Sequence, residues 1–385
     1  MGTVTTFQTT RRIVMGAGAI AKLGEEVRKL GGKRVLVVTD PGLAGTGLVD
    51  KVENLLQQER IAFARFSDVE ADPSYETAVR ASEKVKEFKA NVIIGLGGGS
   101  AQDVAKVSSI LATNPGDVSS MFGIDLVPKP GLKLILIPTT AGTGSEVTPI
   151  AILSDHHEKL KKGIVSPYLF PSVALLDPEL TLGLPPHITV ATGMDALIHA
   201  VEAYTSVNAT PMTDMLARQA ITLVHGSIRT AFANGRDIEA RSKMMEGSML
   251  AGMAFANAGV TAVHAFAYPI GAEYHIPHGV ANSIMLVPVM EFNMLGNIPK
   301  FANLAGMLGE NVECLSAREA ALKAVEALRQ LSSDLQVPAR LSAFGVKDAD
   351  IPGLAQGVMK VTRLLANNPR LLRLEDAESI YRSVL

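Results

Sequence analysis

The sequence predicts an α/β N-terminal domain followed by an all-α C-terminal domain, and three observations carry that prediction. Short β-branched runs alternate with amphipathic stretches as far as residue 139. A run of glycines ends one of those apolar runs at the head of a helical pattern. Beyond Pro178, Pro185 and Pro186 the β-branched runs stop and helical periodicity continues almost to the end of the chain. Repeated strand–helix–strand at this spacing builds a mainly parallel sheet with helices on both faces, and a ligand then belongs at the carboxyl ends of the strands.

In order, RVLVVTD (34–40) reads as a strand before the turn-former Pro41-Gly42, LVDKVENLLQQE (48–59) as an amphipathic helix and IAFARF (61–66) as a second strand. TAVRASEKVKEFKA (77–90) is helix, NVIIGLG (91–97) strand, QDVAKVSSILAT (102–113) helix and KLILIPT (133–139) strand. The boundary is placed in 172–189, giving domains 1–183 and 184–385. Helices are then expected near 190–206, 211–233, 238–262, 279–294, 298–309, 315–334 and 348–364. Two unlike halves usually enclose a cleft.

Bulk properties exclude several classes. A chain of 385 residues suits two ordinary domains. Lys+Arg 36 against Asp+Glu 38, with no block of like charge, argues against nucleic acid, which needs a concentrated basic face. The single cysteine, Cys314, excludes an internal disulfide and a thiolate metal cluster and suits a reducing cytoplasm. The N-terminus lacks an export-signal core. The uncharged run 247–271 is long enough for a membrane span, but its Gly, Ala, Asn and His content, with no dense Lys/Arg beside it, reads as a buried helix of a protein that does not enter the membrane.

GLGGGSAQDVAK (95–106) has the chemistry of a pyrophosphate cradle. Glycines let backbone approach a ligand closely, and a helix N-terminus offers unpaired N–H groups to an anion. Ser100 and Asp103 also have the spacing of a capping box, and Ser100 stands where G-x-G-x-x-G would place its last glycine. A turn built for its own sake would use the same glycines. PTTAGTGSEVT (138–148) supplies hydroxyls and bare N–H groups after another strand. Asp40 has two open readings, a turn residue before Pro41-Gly42 or an acceptor for an adenosine ribose that favours NAD over NADP.

ATGMDALIHAVEAY (191–204) sets Asp195 and His199 four apart, so in a helix both side chains face one spot. AVHAFAYPIGAEYHIPHGVAN (262–282) adds His264, His275 and His278. A lone histidine in an apolar helix is usually a satisfied core residue. Asp195, His199, His264 and His278 together would instead give a divalent cation three imidazoles and a carboxylate, a donor set suited to Fe2+ or Zn2+.

These segments stand in the order found in the iron-containing (group III) alcohol dehydrogenases, which the chain resembles over nearly its whole length, and NNPRLLRLEDAESIY (367–381) resembles that family's C-terminal signature. The resemblance implies a dehydroquinate synthase-like fold: an α/β nucleotide-binding domain, an all-helical domain and a metal between them. It implies metal ligands at Asp195, His199, His264 and His278, and a pyrophosphate loop at Gly97, Gly98, Gly99 and Ser100 with Asp103 behind. Cofactor contacts fall on Thr139, Thr140 and Thr148 and on Lys161, with neighbouring Lys162 an alternative by one position. Asp40 matches the position tied to NAD preference, and Phe255 an aromatic wall of the substrate pocket. Many members carry a second histidine where this chain has Tyr268, a phenol that hardly titrates near neutral pH. The family pattern keeps His278 over His275 as ligand; His156, His157, His187 and His225 have no partner at ligand spacing and read as surface or packing residues.

The implied activity is metal-dependent interconversion of small alcohols or diols and aldehydes by hydride transfer with NAD(H), in a homodimer or larger homo-oligomer of the cytoplasm. Alternatives on the same scaffold are a dehydroquinate synthase-like lyase, a glycerol dehydrogenase-like polyol oxidoreductase and a non-catalytic binding protein. The segments 191–204 and 255–282 contain no Lys or Arg, which disfavours the anionic substrate of such a lyase.

Overall fold

A computed structural model describes residues 4–155 and 160–385, so His156 and His157 lie outside the described residues. The chain forms two compact units. One runs from Thr9 to Gly183; the other runs from Leu184 to Leu385 and includes the N-terminal residues up to Gln8, whose backbone N–H and C=O both bond the Asn257 amide.

The first unit contains, in chain order, β1 (Ile13–Met15), α1 (Leu23–Lys29), β2 (Arg34–Val38), α2 (Pro41–Ala44), α3 (Leu48–Gln58), β3 (Ala62–Phe66), α4 (Tyr75–Phe88), β4 (Val92–Gly97) and α5 (Gly99–Thr113). It continues with β5 (Gly123–Ile124), β6 (Lys133–Pro138), β7 (Ile150–Asp155), β8 (Leu160–Val165) and β9 (Val173–Leu176). Six strands form a parallel sheet in the order β1-β9-β6-β4-β2-β3. Its apolar runs are continuous because both faces are covered. Val35, Val37, Ile94 and Ile137 pack with Val27 of α1 and Val52 of α3, whereas Leu36, Val38, Ile93 and Leu136 pack with Ala81 of α4 and Val104 of α5. Each such aliphatic side chain taken fully out of water stabilises the fold by about 1.5–3 kcal/mol. A smaller sheet, β5-β8-β7, pairs β7 and β8 antiparallel and was not anticipated.

From β2 the chain leaves toward β3 on one side, and from β4 toward β6 on the other. The carboxyl ends of β2 and β4 therefore flank the point where the order reverses, the usual ligand position of an open α/β sheet.

The second unit is helical: α6 (Pro186–Thr205), α7 (Pro211–Ala233), α8 (Ile238–Ala258), α9 (Ala262–Tyr274), α10 (His278–Met294), α11 (Ile298–Met307), α12 (Ala317–Asp334), α13 (Ile351–Lys360), α14 (Thr362–Leu365) and α15 (Leu374–Ser383). The predicted helix 238–262 and the buried helix read into 247–271 are in fact two helices, α8 and α9, turning through 101°. Gly259 makes the corner with φ +78, and a Cβ there would stand 2.4 Å from Asn367 Nδ2. The predicted 348–364 helix likewise breaks at Val361 into α13 and α14. Among the described residues no single helix is long and apolar enough to cross a membrane.

Asn367 and Asn368 pin this corner. Asn367 Nδ2 donates to the Val260 carbonyl at 3.0 Å, and the Asn367 carbonyl accepts from Val207 N–H just beyond α6. Asn368 Oδ1 accepts from the Ala262 N–H that opens α9 and from the Asn293 amide on α10.

Candidate metal centre and phosphate cradle

Helix α6 presents Asp195, His199 and Glu202 along one face, α9 brings His264 and Tyr268, and α10 brings His278 and Asn282. The helices close tightly at this point because Gly279 leaves room for the Ala191 carbonyl, which would lie 2.2 Å from any Cβ. Asp195, His199 and His264 are nearly sealed from solvent, at 3%, 6% and 2% exposure. Their ligand atoms converge: His264 Nε2 lies 3.1 Å from His199 Nε2 and 3.8 Å from Asp195 Oδ1. One oxygen or nitrogen from each of the three falls within 4.8 Å of the others, the spacing of a possible metal site. His278 stands at the rim of this trio, its Nε2 3.8 Å from Asp195 Oδ1 and its side chain 34% exposed. His275 caps the end of α9 in the left-handed region, exposed, and His187 is exposed at the start of α6. His225, half-buried on α7, contacts Arg229.

The donor set fits a divalent cation. Two imidazole nitrogens bound tetrahedrally at ~2.0–2.1 Å stand roughly 3.3 Å apart, close to the observed His264–His199 spacing. No thiolate contributes, and Asn282 Oδ1 is buried without a hydrogen bond while its amide nitrogen reaches Asp195, His264 and His278. Burial alone would push the Asp195 carboxyl up, but His199, His278, His264 and the Asn282 amide outweigh it and hold the pKa below its usual value.

Two side chains complete the surroundings. Phe255 of α8 stacks on His199 with ring centroids 4.3 Å apart. Tyr268 lies 6.1 Å from the His278 ring, and burial raises its phenol further above the neutral range. Sequence reasoning passed over Glu202, which is fully buried and bonds His264 Nδ1. Its signal was present: it follows His199 by three residues and so shares the ligand face.

In the other unit, the ends of β2, β4 and β6 gather Asp40, Gly97–Ser100 and Thr139–Thr140. Gly97 has φ +147, and its would-be Cβ lies 2.8 Å from Ala101 Cβ and 3.2 Å from Asp40 Oδ2. A Cβ on Gly99 would meet Thr143 Cγ2 at 2.9 Å. Gly98 is the N-cap of α5, with no side chain on its free N–H groups, so the capping box read from Ser100 and Asp103 does not form. Helix α5 begins earlier than that spacing assumed, and Asp103 is drawn instead to Ser145 Oγ at 2.7 Å and Ile152 N–H at 2.9 Å. An uncapped helix end walled by glycines suits a pyrophosphate. Asp40 caps α2 by accepting from Leu43 N–H while also bordering Gly97, so its turn role and its place at the cradle coexist.

Thr139 N–H bonds the Gly97 carbonyl, and Thr140 Oγ1 lies 3.6 Å from the would-be Cβ of Gly98. Thr148 is turned inward: the fully buried Lys106 donates to its hydroxyl, to its carbonyl and to the Ile150 carbonyl. Burial lowers the Lys106 ammonium to about 8 against Asp103 and Glu146, and raises the Glu146 carboxyl to about 7. Lys161 donates to Asp72 Oδ1 at 2.6 Å, and Lys162 pairs with Asp155.

An α/β unit with a parallel sheet and a glycine-walled helix N-terminus, in one chain with an all-helical unit carrying a possible metal site, defines the dehydroquinate synthase-like class. Family models agree along the chain: iron-containing alcohol dehydrogenase matches residues 10–178, and the C-terminal model of the Fe-containing alcohol dehydrogenase family matches 189–385. The chain belongs to the iron-containing alcohol dehydrogenase family. It is 44% identical to long-chain-alcohol dehydrogenase 1 of Geobacillus thermodenitrificans (strain NG80-2), covering 96% of this chain and 94% of that one. Identity to sulfoacetaldehyde reductase of Bilophila wadsworthia (strain 3_1_6) is 43%, over 94% of each. The crystal structure of a 1,3-propanediol oxidoreductase superposes with a TM-score of 0.97 at 39% identity, over 100% of both chains. The protein is accordingly an oxidoreductase interconverting alcohols and aldehydes, and the lyase alternative finds no support among these relatives.

Proposed function

We propose that this enzyme interconverts small primary alcohols or diols and their aldehydes, using NAD(H) and an Fe2+, or alternatively a Zn2+, held by Asp195, His199, His264 and His278. The observation that supports this reading most is the approach of the His264 and His199 Nε2 atoms to 3.1 Å beside a buried carboxylate. The cation would supply Lewis acidity toward the substrate oxygen, and the dinucleotide a hydride acceptor or donor.

The chain's own residues supply the rest. Gly97, Gly98, Gly99 and Ser100 at the α5 N-terminus cradle the pyrophosphate, with Thr139 and Thr140 beside it. Asp40 accepts from the ribose and disfavours a 2′-phosphate. Lys161, on β8 and paired with Asp72, would contact the cofactor; Asp103 and Thr148 act from behind by fixing the Ser/Thr loop. Phe255 forms an apolar wall over His199 that keeps water from the substrate carbon. Tyr268 contributes a fixed hydroxyl rather than a proton relay. Helices α6, α9 and α10 carry no Lys or Arg, which suits an uncharged alcohol better than a sulfonated or phosphorylated one. An exposed thiol at Cys314 suits a cytoplasmic setting; the proposed assembly is a homodimer or larger homo-oligomer.

Anaerobic purification with metal analysis, followed by NADH absorbance with a panel of alcohols, diols and aldehydes, tests this. Metal-dependent turnover of small uncharged substrates is expected. Absence of turnover with Fe2+ or Zn2+ loaded, or full turnover by His264→Ala, overturns it.

A further inference from the structure

We infer that Glu202 is a positioning residue that sets the metal affinity of the site, by holding His264 in the tautomer whose Nε2 lone pair faces Asp195 and His199. This rests on the metal reading above and deepens it.

Glu202 is 0% exposed, and a carboxylate sealed from water is costly unless its oxygens are paired. Among the described residues, the hydrogen-bond partners of its carboxylate lie at the start of α9. Oε1 accepts from Thr261 Oγ1 at 2.6 Å and Val263 N–H at 2.7 Å; Oε2 accepts from His264 Nδ1 in a very short contact. Thr261, the N-cap of α9, makes no capping bond of its own, so Glu202 meets the positive end of this helix in its place.

The consequence is chemical. An ionised carboxylate only accepts, so His264 must carry its proton on Nδ1. A neutral imidazole has one N–H, which leaves Nε2 with a lone pair, and Nε2 is the atom 3.1 Å from His199 Nε2 and 3.8 Å from Asp195 Oδ1. Glu202 and Asp195 are both buried here, and two carboxylates at this point would offset the cost of burying a dication.

Glu202→Gln preserves volume but cannot satisfy both tasks. If its oxygen stays on Thr261 and Val263, its NH2 faces His264 Nδ1 and drives the proton to Nε2, blocking the ligand atom. If the amide is reversed, its NH2 opposes the Val263 N–H, which can only donate.

The test compares wild type and Glu202→Gln by chelator competition for Zn2+ and Co2+, with melting of the metal-free proteins alongside. Loss of an outer partner of this kind typically costs about 10–100-fold in metal affinity, and that weakening is expected here. The metal-free variant should melt at or above the wild-type temperature, because a buried charge has been removed. A purely structural role predicts the reverse, a lower melting temperature with unchanged affinity. If wild type binds neither ion, the metal reading fails and takes this inference with it. If wild type binds and the variant matches it within about twofold, only the inference falls. Should the variant not fold, histidine-selective 15N NMR of metal-free wild type decides: His264 protonated at Nδ1 supports the assignment, and Nε2–H overturns it.

Discussion

Around Asp195 the helical unit gathers side chains from three helices, all of them specific in kind. At the end of β4 the α/β unit offers almost none, only N–H groups, bare glycines and a hydroxyl-rich loop. The first region works through what its residues carry and the second through what they lack. Side-chain removal should therefore cripple one, and side-chain addition the other.

The largest effect is expected from His264→Ala. Removing a candidate ligand should strip bound metal and lower turnover beyond the about 100-fold that bounds the loss of an outer partner; metal analysis with NADH-linked rates reads both. A variant keeping its metal would break the contrast at once.

Next comes Gly97→Ala. The new methyl group meets Ala101 Cβ at 2.8 Å at φ +147, a strain of about 1–3 kcal/mol. Cofactor KM should rise about tenfold or more while metal content stays constant, as fluorescence titration with NADH and metal analysis would reveal.

A third test uses charges buried behind the cradle. The Glu146 carboxyl is raised to about 7, so between roughly 4.5 and 7 the folded chain holds a proton that the unfolded chain has released. Stability from this group therefore falls as pH rises through that window, by on the order of 1–3 kcal/mol. Lys106, lowered to about 8, acts in the opposite sense at higher pH: its burial cost is present below 8 and relieved as pH rises from there to its unfolded value. Melting curves of Glu146→Gln should lack the fall between about pH 5 and 7 that wild type shows.

Smaller still, Asp40→Ala should cost about 1 kcal/mol through the lost cap on α2 and admit some NADP, read by melting and by the ratio of rates with the two cofactors. Least of all, Tyr268→Phe should stay well short of the about 100-fold loss that marks a general acid or base. A deeper drop in its pH–rate profile would give the phenol a role that its raised pKa argues against.

The same contrast explains what could be read in advance. Strands β2, β4 and β6 of the main sheet were legible because burial on both faces leaves continuous apolar runs, and β3 was read beside them, but β1 and β9, three and four residues long, were not; α7 was legible because Thr210 and Pro211 punctuate its start. Asp195 and His199 were legible because helical spacing alone superposes them. Asp103 misled, since its spacing fits a cap while its partners, Ser145 and Ile152, arrive from another part of the chain. The corner at Gly259 was hidden by composition, which is equally apolar on both sides; the β-branched pair Val260-Thr261 after a glycine was its one local mark. Glu202 escaped because attention to lone pairs favours ligands over the groups that aim them.

Asn367 and Asn368 connect distant stretches in a way that bears on synthesis. They fasten the end of α6, the corner before α9 and the body of α10, all made long before them. A ribosome must release every residue up to this pair before those helices can be latched. Shortening the C-terminus past this asparagine pair should thus undo a centre whose own residues were all translated intact.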